Sequence, residues 1–337
     1  MILTIFCPII LTILSIIVLT YFAKPLNLLD IPNHRKQHGE PIAMIGGIAI
    51  YISLLITSLI INLPYTLNVI IYVSSIVLLI GLLNDIFNLG VVIRLIFQIT
   101  ASLFVIFSGL SIVDIGEISN FGIVSFGIFS GIFTIFSVIS LTNAFNFIDG
   151  LDGLAGGLFL VALFSLLIFI YFGAGTDDLE IIIVLISSVS IYWIINVLKT
   201  PIKKIFLGDS GSLLLGFLIA WLLIYYAHPN IRAFHPVLVL WCVAIPVYDI
   251  VSVVIRRIIF KKYVFLPDLS HIHHLVILQG YSKNVALYSI LLLAILLSLF
   301  GLISYKLFGP AFSLIFFFIL LIIYLLISYN FSKKNIN

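Results

Sequence analysis

At 337 residues, 63% of them hydrophobic and only 9% charged, with a mean hydropathy of +1.34, the chain is far from the roughly 25% charge of soluble domains. This excludes a soluble globular enzyme and predicts an all-α, polytopic membrane bundle. The net charge of +3 is small and dispersed, so nucleic acid is not an expected partner. Cys7 and Cys242 both lie in apolar runs and have neither metal-ligand spacing nor a disulfide pattern.

The first apolar run, Ile2–Ala23, lacks a basic leader and a small-residue cleavage site. It is long enough to cross a bilayer, and Lys24 follows it at once. It reads as a retained helix with its N-terminus outside. Ten more apolar runs follow, roughly at 42–62, 67–83, 91–109, 123–142, 154–173, 181–198, 213–227, 237–255, 286–305 and 311–329. The expectation is therefore about eleven spans in a single membrane domain, 1–337. In that arrangement every lysine and arginine except Arg232 and Lys306 falls on the inner side. Such asymmetry is the positive-inside pattern, and it puts the tail Lys333–Lys334 in the cytoplasm.

The same topology sorts the polar residues. The inner loops hold DIPNHRKQHGEP at 30–41, Asn84-Asp85, NAFNFIDGLDG at 143–153, LKTPIKKIFLGDSGS at 198–212, and the stretch Arg256 to Lys283 with PDLSHIHH. The outer loops hold GEISN, GTDDLE and HPNIRAFHP without comparable clustering. Ionisable groups near a bilayer are costly and commonly functional, so the one-sided clustering predicts active-site loops facing the cytoplasm.

Each island admits a chemical and a bland reading. Arg94 lies inside the fourth run, where an arginine must snorkel or bind an anion. Asp149 and Asp152 are three apart and share a face if a helix begins there; helix capping is the alternative. Asp209 in FLGDSGS suits Mg²⁺, which takes one or two carboxylates plus waters and phosphate oxygens. Its alternative is again a cap, with Asp209 or Ser210 opening the helix from Ser212. His271, His273 and His274 in HIHH lack the spacing of helical zinc sites; contact with sugar or phosphate suits them better. Lys203 and Lys204 are phosphate contacts or topology anchors. The residues alone indicate an acidic, Mg²⁺-bridged site for phosphate chemistry with one water-soluble and one lipid-borne reactant.

NAFNFIDGLDGLAGG, FLGDSGSLLLGF, IPVYDIVSVVIRR and PDLSHIHHL, with DIPNHRKQH near the start, resemble the cytoplasmic motifs of the polyprenyl-phosphate N-acetylhexosamine-1-phosphate transferases. The resemblance covers nearly the whole chain. The HIHH form with DIPNHRK is most similar to the branch that uses undecaprenyl phosphate and N-acetylglucosamine 1-phosphate to start O-antigen and related glycans. It is less similar to the branch with a muramoyl-pentapeptide donor, whose histidine motif reads HHH. The resemblance implies a bacterial inner-membrane enzyme, dependent on Mg²⁺ or Mn²⁺, that moves a sugar 1-phosphate from a UDP-N-acetylhexosamine to undecaprenyl phosphate and releases UMP. It leaves room for a homodimer. Asp209 would be the metal ligand, and Asp149 and Asp152 would help bind metal-bridged nucleotide. Asn146 and Asn196 match asparagines near the nucleotide. His271, His273 and His274 would touch sugar or phosphates, and Lys36 and Arg94 would bind substrate.

Two positions depart from the family. Asn84-Asp85 stands where Asp-Asp is usual, and the first of that pair is often proposed as the base for the lipid phosphate. Asn84 cannot act as a base, which leaves it a substrate contact and leaves the role to Asp85 or to none. Val92 stands where related bacterial enzymes often have lysine. The competing expectations are a transporter or flippase, which should carry mid-span ionisable residues and inverted repeats, and a paralogue that binds UDP-sugar without turnover.

Overall fold

A computed structural model describes residues 2–31, 41–118, 122–259, 261 and 271–334. Lys36 and the PDLS part of the histidine motif lie outside the described residues. In chain order come helix α1 (Ile2–Phe22), strands β1 (Leu29–Asp30) and β2 (Ile42–Met44), and helices α2 (Gly46–Ile60), α3 (Tyr65–Phe87) and α4 (Val91–Phe107). Strands β3 (Asp114–Glu117) and β4 (Ile123–Ser125) precede α5 (Ser130–Ile148), α6 (Leu154–Phe172) and α7 (Glu180–Val197). Strand β5 (Ile205–Phe206) leads into α8 (Gly208–Ala227), followed by α9 (Val237–Cys242), α10 (Ala244–Ile259), α11 (Ile272–Leu278) and α12 (Lys283–Lys334).

Among the described residues, seven helices are long and apolar enough to cross a membrane, namely α1, α3, α5 with its preceding turn, α6, α7, α8 and α12; α2 and α4 are shorter apolar helices. The protein is thus a polytopic helical membrane protein. Several boundaries differ from expectation for identifiable reasons. Residues 42–44 form β2, which pairs with β1 and β5, so α2 starts late. Residues 123–125 form β4, and α5 runs on through Asn143 and Asn146. Asn143 is tolerated there because its amide donates to the Ile139 carbonyl at 2.8 Å, within the helix. Asn84-Asp85, expected in a loop, occupies the last turn of α3. The run at 237–255 breaks at Val243 into α9 and α10.

The chain packs as two units. One comprises Met1–Gly109 and Asp177–Ile219. Here α1, α2 and α7 pack together and α3 lies against α2 and α4. The small sheet runs β1-β2-β5, antiparallel then parallel, with Ala43 opposite Leu29 and Ile205. The N-terminal end of α8 is seated by close backbone approach. A Cβ at Gly47 would lie 2.2 Å from the Gly211 Cα, and one at Gly81 would lie 2.5 Å from the Ser210 Cα. Small residues allow such contact where larger ones would hold helices apart.

The other unit comprises Leu110–Thr176 and Ala220–Asn337. In it α12 packs on α6, α9, α10 and α11. It is not straight: the backbone leaves the helix at Gly309 (φ +81°), ahead of Pro310. The rings of Phe300 and Phe316 lie 5.9 Å apart across this break, whereas a continuous helix would separate them by roughly 24 Å. The two arms therefore fold back on one another, with Ser304 bonded to Ser313 at 3.1 Å. The second arm runs beside α10 through Tyr248–Phe317 and Ser252–Ser328 hydrogen bonds.

Candidate active site

In the first unit the chemistry gathers at the N-terminal end of α8. Helix termini leave backbone N–H groups without intrahelical partners. Here they are met from another helix: the Asp85 carboxylate accepts from Asp209 N–H at 2.7 Å and Ser210 N–H at 3.0 Å. A carboxylate at a helix N-terminus is favoured by the macrodipole as well as by the hydrogen bonds. The approach depends on Gly208, whose φ is +74° and where a Cβ would lie 2.8 Å from Asp85 Oδ2.

Asp209 is therefore not the cap. Its backbone is capped, and its side chain turns to a second pair of groups. The Asn84 amide donates to Asp209 Oδ2, and Arg94 Nη1 lies 3.9 Å from the same oxygen. Arg94 sits in the first turn of α4, close to the end of that helix. The Asp209 side chain is 37% exposed, against 13% for Arg94. Asn84 Oδ1 is buried and has no hydrogen-bond partner among the described residues. One half-open carboxylate with a buried amide oxygen beside it fits a hard cation that completes its shell with waters and phosphate oxygens. Among the described residues no three His, Cys, Asp or Glu side chains converge as a metal-binding group, so any such ion here would rest on that sparse donor set. Asn196 is buried and donates to the Ile205 carbonyl at 2.8 Å, which fixes the strand leading to Asp209.

In the second unit the DGLDG segment and the histidine motif come together. Asp149 ends α5, residues 150–153 form a turn, and α6 begins at Leu154. Asp149 and Asp152 thus lie in the turn; no helix begins at Asp149, so the condition for their sharing a helix face is not met. Both are part-exposed, as is Asn146 at the end of α5. The ring of His273 lies on this turn, so close that a Cβ at Gly150 would meet its Nε2 at 2.3 Å. His273 is fully buried, and among the described residues neither ring nitrogen has a hydrogen-bond partner. Burial, helped by the neighbouring His274, pushes its pKa down to about 3, which keeps it neutral. Its ring lies 4.0 Å from that of His274 and 6.1 Å, nearly parallel, from that of His271.

His271 is held differently. Its Nδ1 pairs with Asp249 Oδ2 at 2.7 Å, and its ring lies 5.7 Å from that of Phe147. Asp249 was not singled out from sequence. Its signal was available, since it is a lone carboxylate inside an apolar run. Nothing local announced that its partner would be 22 residues away. The structure thus joins Asn84, Asp85, Arg94 and Asp209 in one cluster, and the Gly150 turn with the histidines and Asp249 in another.

The glycosyl transferase family 4 profile matches residues 67–227, which include Asp85, Arg94, Asp149, Asp152 and Asp209. The chain is 31% identical over 303 residues to an undecaprenyl-phosphate alpha-N-acetylglucosaminyl 1-phosphate transferase of Escherichia coli K12, covering 88% of this chain and 82% of that one. It is 36% identical over 282 residues to the protein of the same name from Haemophilus influenzae, covering 81% and 78%. A Yersinia pestis protein of that name is 30% identical over 290 residues, covering 85% and 79%. Similarity of this extent means that the chain belongs to glycosyl transferase family 4.

Proposed function

We propose that this protein transfers N-acetylglucosamine 1-phosphate from a UDP-sugar to undecaprenyl phosphate, releasing UMP and leaving the sugar on a lipid diphosphate. The names of the curated relatives support the sugar phosphate and the acceptor. The observation that carries the reading is Asp209, a part-exposed carboxylate on a backbone-capped helix end, facing Asn84 and Arg94.

Phosphoryl transfer asks a protein mainly for positioning and charge stabilisation. Asp85 fixes the α8 terminus and so fixes Asp209. Mg²⁺ held by Asp209 would supply positive charge against the pyrophosphate oxygens. Arg94 offers a fixed cation to an incoming phosphate. Asp149, Asp152 and Asn146 serve the nucleotide side, and His271 and His274 the sugar or phosphates. His273 supports the turn that bears Asp149. An oxygen of the lipid phosphate attacks the sugar-linked phosphorus in line, and the bond to UMP breaks.

A groove of about 700 Å³ in the second unit, with Phe133, Phe136, Leu141, Leu223, Val247 and Val251 among its walls, suits a segment of an isoprenoid chain. The topology that goes with this reading has eleven spans in the bacterial inner membrane, with the N-terminus outside and the basic tail in the cytoplasm.

The test is UMP release by purified protein given UDP-N-acetylglucosamine, undecaprenyl phosphate and Mg²⁺. Turnover that needs both substrates is expected, and Asp209→Asn should remove most of it and weaken the Mg²⁺ response. Transport without UMP release, or near-normal turnover of Asp209→Asn with an unchanged Mg²⁺ response, would overturn the assignment.

A further inference from the structure

Asp249 lies in α10 and is 2% exposed. A buried carboxylate is costly unless its oxygens are fully met by donors. Among the described residues three donors meet it. Oδ1 accepts from Ile272 N–H at 2.8 Å and from the Tyr324 hydroxyl at 3.1 Å, while Oδ2 faces His271 Nδ1 at 2.7 Å. The three come from different places: the start of α11, the second arm of α12, and the first histidine of HIHH. His271 is itself 5% exposed, and Phe147 flanks its ring.

We propose that Asp249 is a positioning residue for the transfer reaction, holding His271 in the tautomer protonated at Nδ1 and aiming its Nε2 at the substrate. The proposal rests on the transferase reading above. The two oxygens do separate jobs. Oδ1 ties α10 to α11 and α12, which is structural. Oδ2 sets the imidazole. The nitrogen that a histidine presents outward is decided by the bond its other nitrogen makes. With Nδ1–H donated to a carboxylate, Nε2 is an acceptor when the ring is neutral. His273, by contrast, is buried and has no hydrogen-bond partner among the described residues to set its tautomer.

The substitution Asp249→Asn separates the two jobs. An amide oxygen can still accept from Ile272 N–H and Tyr324, so it turns to that side. The amide N–H₂ then faces His271 Nδ1, which must become an acceptor, and the proton moves to Nε2. The structural tie is kept while the tautomer is inverted.

Two readouts test this. In protein labelled with ¹⁵N-histidine, with His271→Gln used for assignment, the His271 signal should show protonated Nδ1 in wild type and protonated Nε2 in Asp249→Asn. In turnover, Asp249→Asn should lower kcat about 10- to 100-fold with little change in KM for the UDP-sugar, and it should cost nothing further in a His271→Gln background. Tyr324→Phe, which removes one bond to the same carboxylate, should give a smaller loss that also vanishes in that background. Losses that multiply with His271→Gln, or a tautomer unmoved by Asp249→Asn, overturn the proposal. Wild-type protein that shows the expected tautomer but no turnover overturns the transferase reading instead, while leaving the Asp249–His271 pairing intact.

Discussion

Asn84 shows how one side chain changes what a site can do. It faces Asp209 with its amide nitrogen, a neutral donor against a carboxylate. A carboxylate at this position would put two like charges in contact, which raises the pKa of one of them and strips the site of a donor. The acceptor phosphate, moreover, loses its second proton near pH 6, so at neutral pH it needs no base. Asn84→Asp is therefore expected to leave turnover unchanged or lower it at pH 7, and the wild-type rate should fall below about pH 6 as the acceptor takes up its proton. Rates of both proteins from pH 5 to 9 check this. A hundredfold gain for Asn84→Asp, within the range typical of a restored general base, would show that the site lacks one.

At the scale of elements, each of the two clusters is made, within its own unit, by ends of helices meeting one another. The last turn of α3 caps the first turn of α8, and the turn between α5 and α6 receives a ring from α11. The second contact has no slack, because the Gly150 position leaves no room for a methyl group beside His273. Overpacking of this kind costs roughly 1–3 kcal/mol. Gly150→Ala should therefore lower the thermal midpoint of the purified protein and reduce turnover. The double variant Gly150→Ala/His273→Ala should recover the midpoint, because removing the ring removes the clash. Thermal unfolding of the single and double variants in detergent distinguishes this from a general sensitivity of the turn, in which case the second substitution would add to the loss.

For the molecule as a whole, the arrangement is governed by where charge can reside. Arg232 and Lys306, the two basic residues expected outside, both have structural partners. Arg232 makes a two-pronged pair with Asp114 at 2.9 Å per bond, and Lys306 donates to the Phe172 carbonyl at 2.7 Å. Both ties lie within the second unit, so each residue has a folding role of its own. The remaining basic residues, including Lys333 and Lys334, are expected in the cytoplasm. A reporter fused after Asn337 should read cytoplasmic; a periplasmic signal would remove one span from the proposed eleven and reverse the tail.

The sequence by itself determined the membrane class, the positions of most apolar helices and the motif residues, because hydropathy, span length and charge asymmetry are sums over neighbouring residues. It also marked Asp209 and the histidine motif as chemical. It could not say that Asp85 caps α8, since that bond joins residues 124 positions apart. Nor could it say that Gly150 is reserved for the His273 ring, or that the buried Asp249 belongs to His271. Whether Asp149 and Asp152 share a helix face or sit in a turn was left open for the same reason: spacing counts residues but does not reveal where a helix stops. Which donor meets which acceptor is decided only when packing brings distant helix ends together and water is excluded from between them.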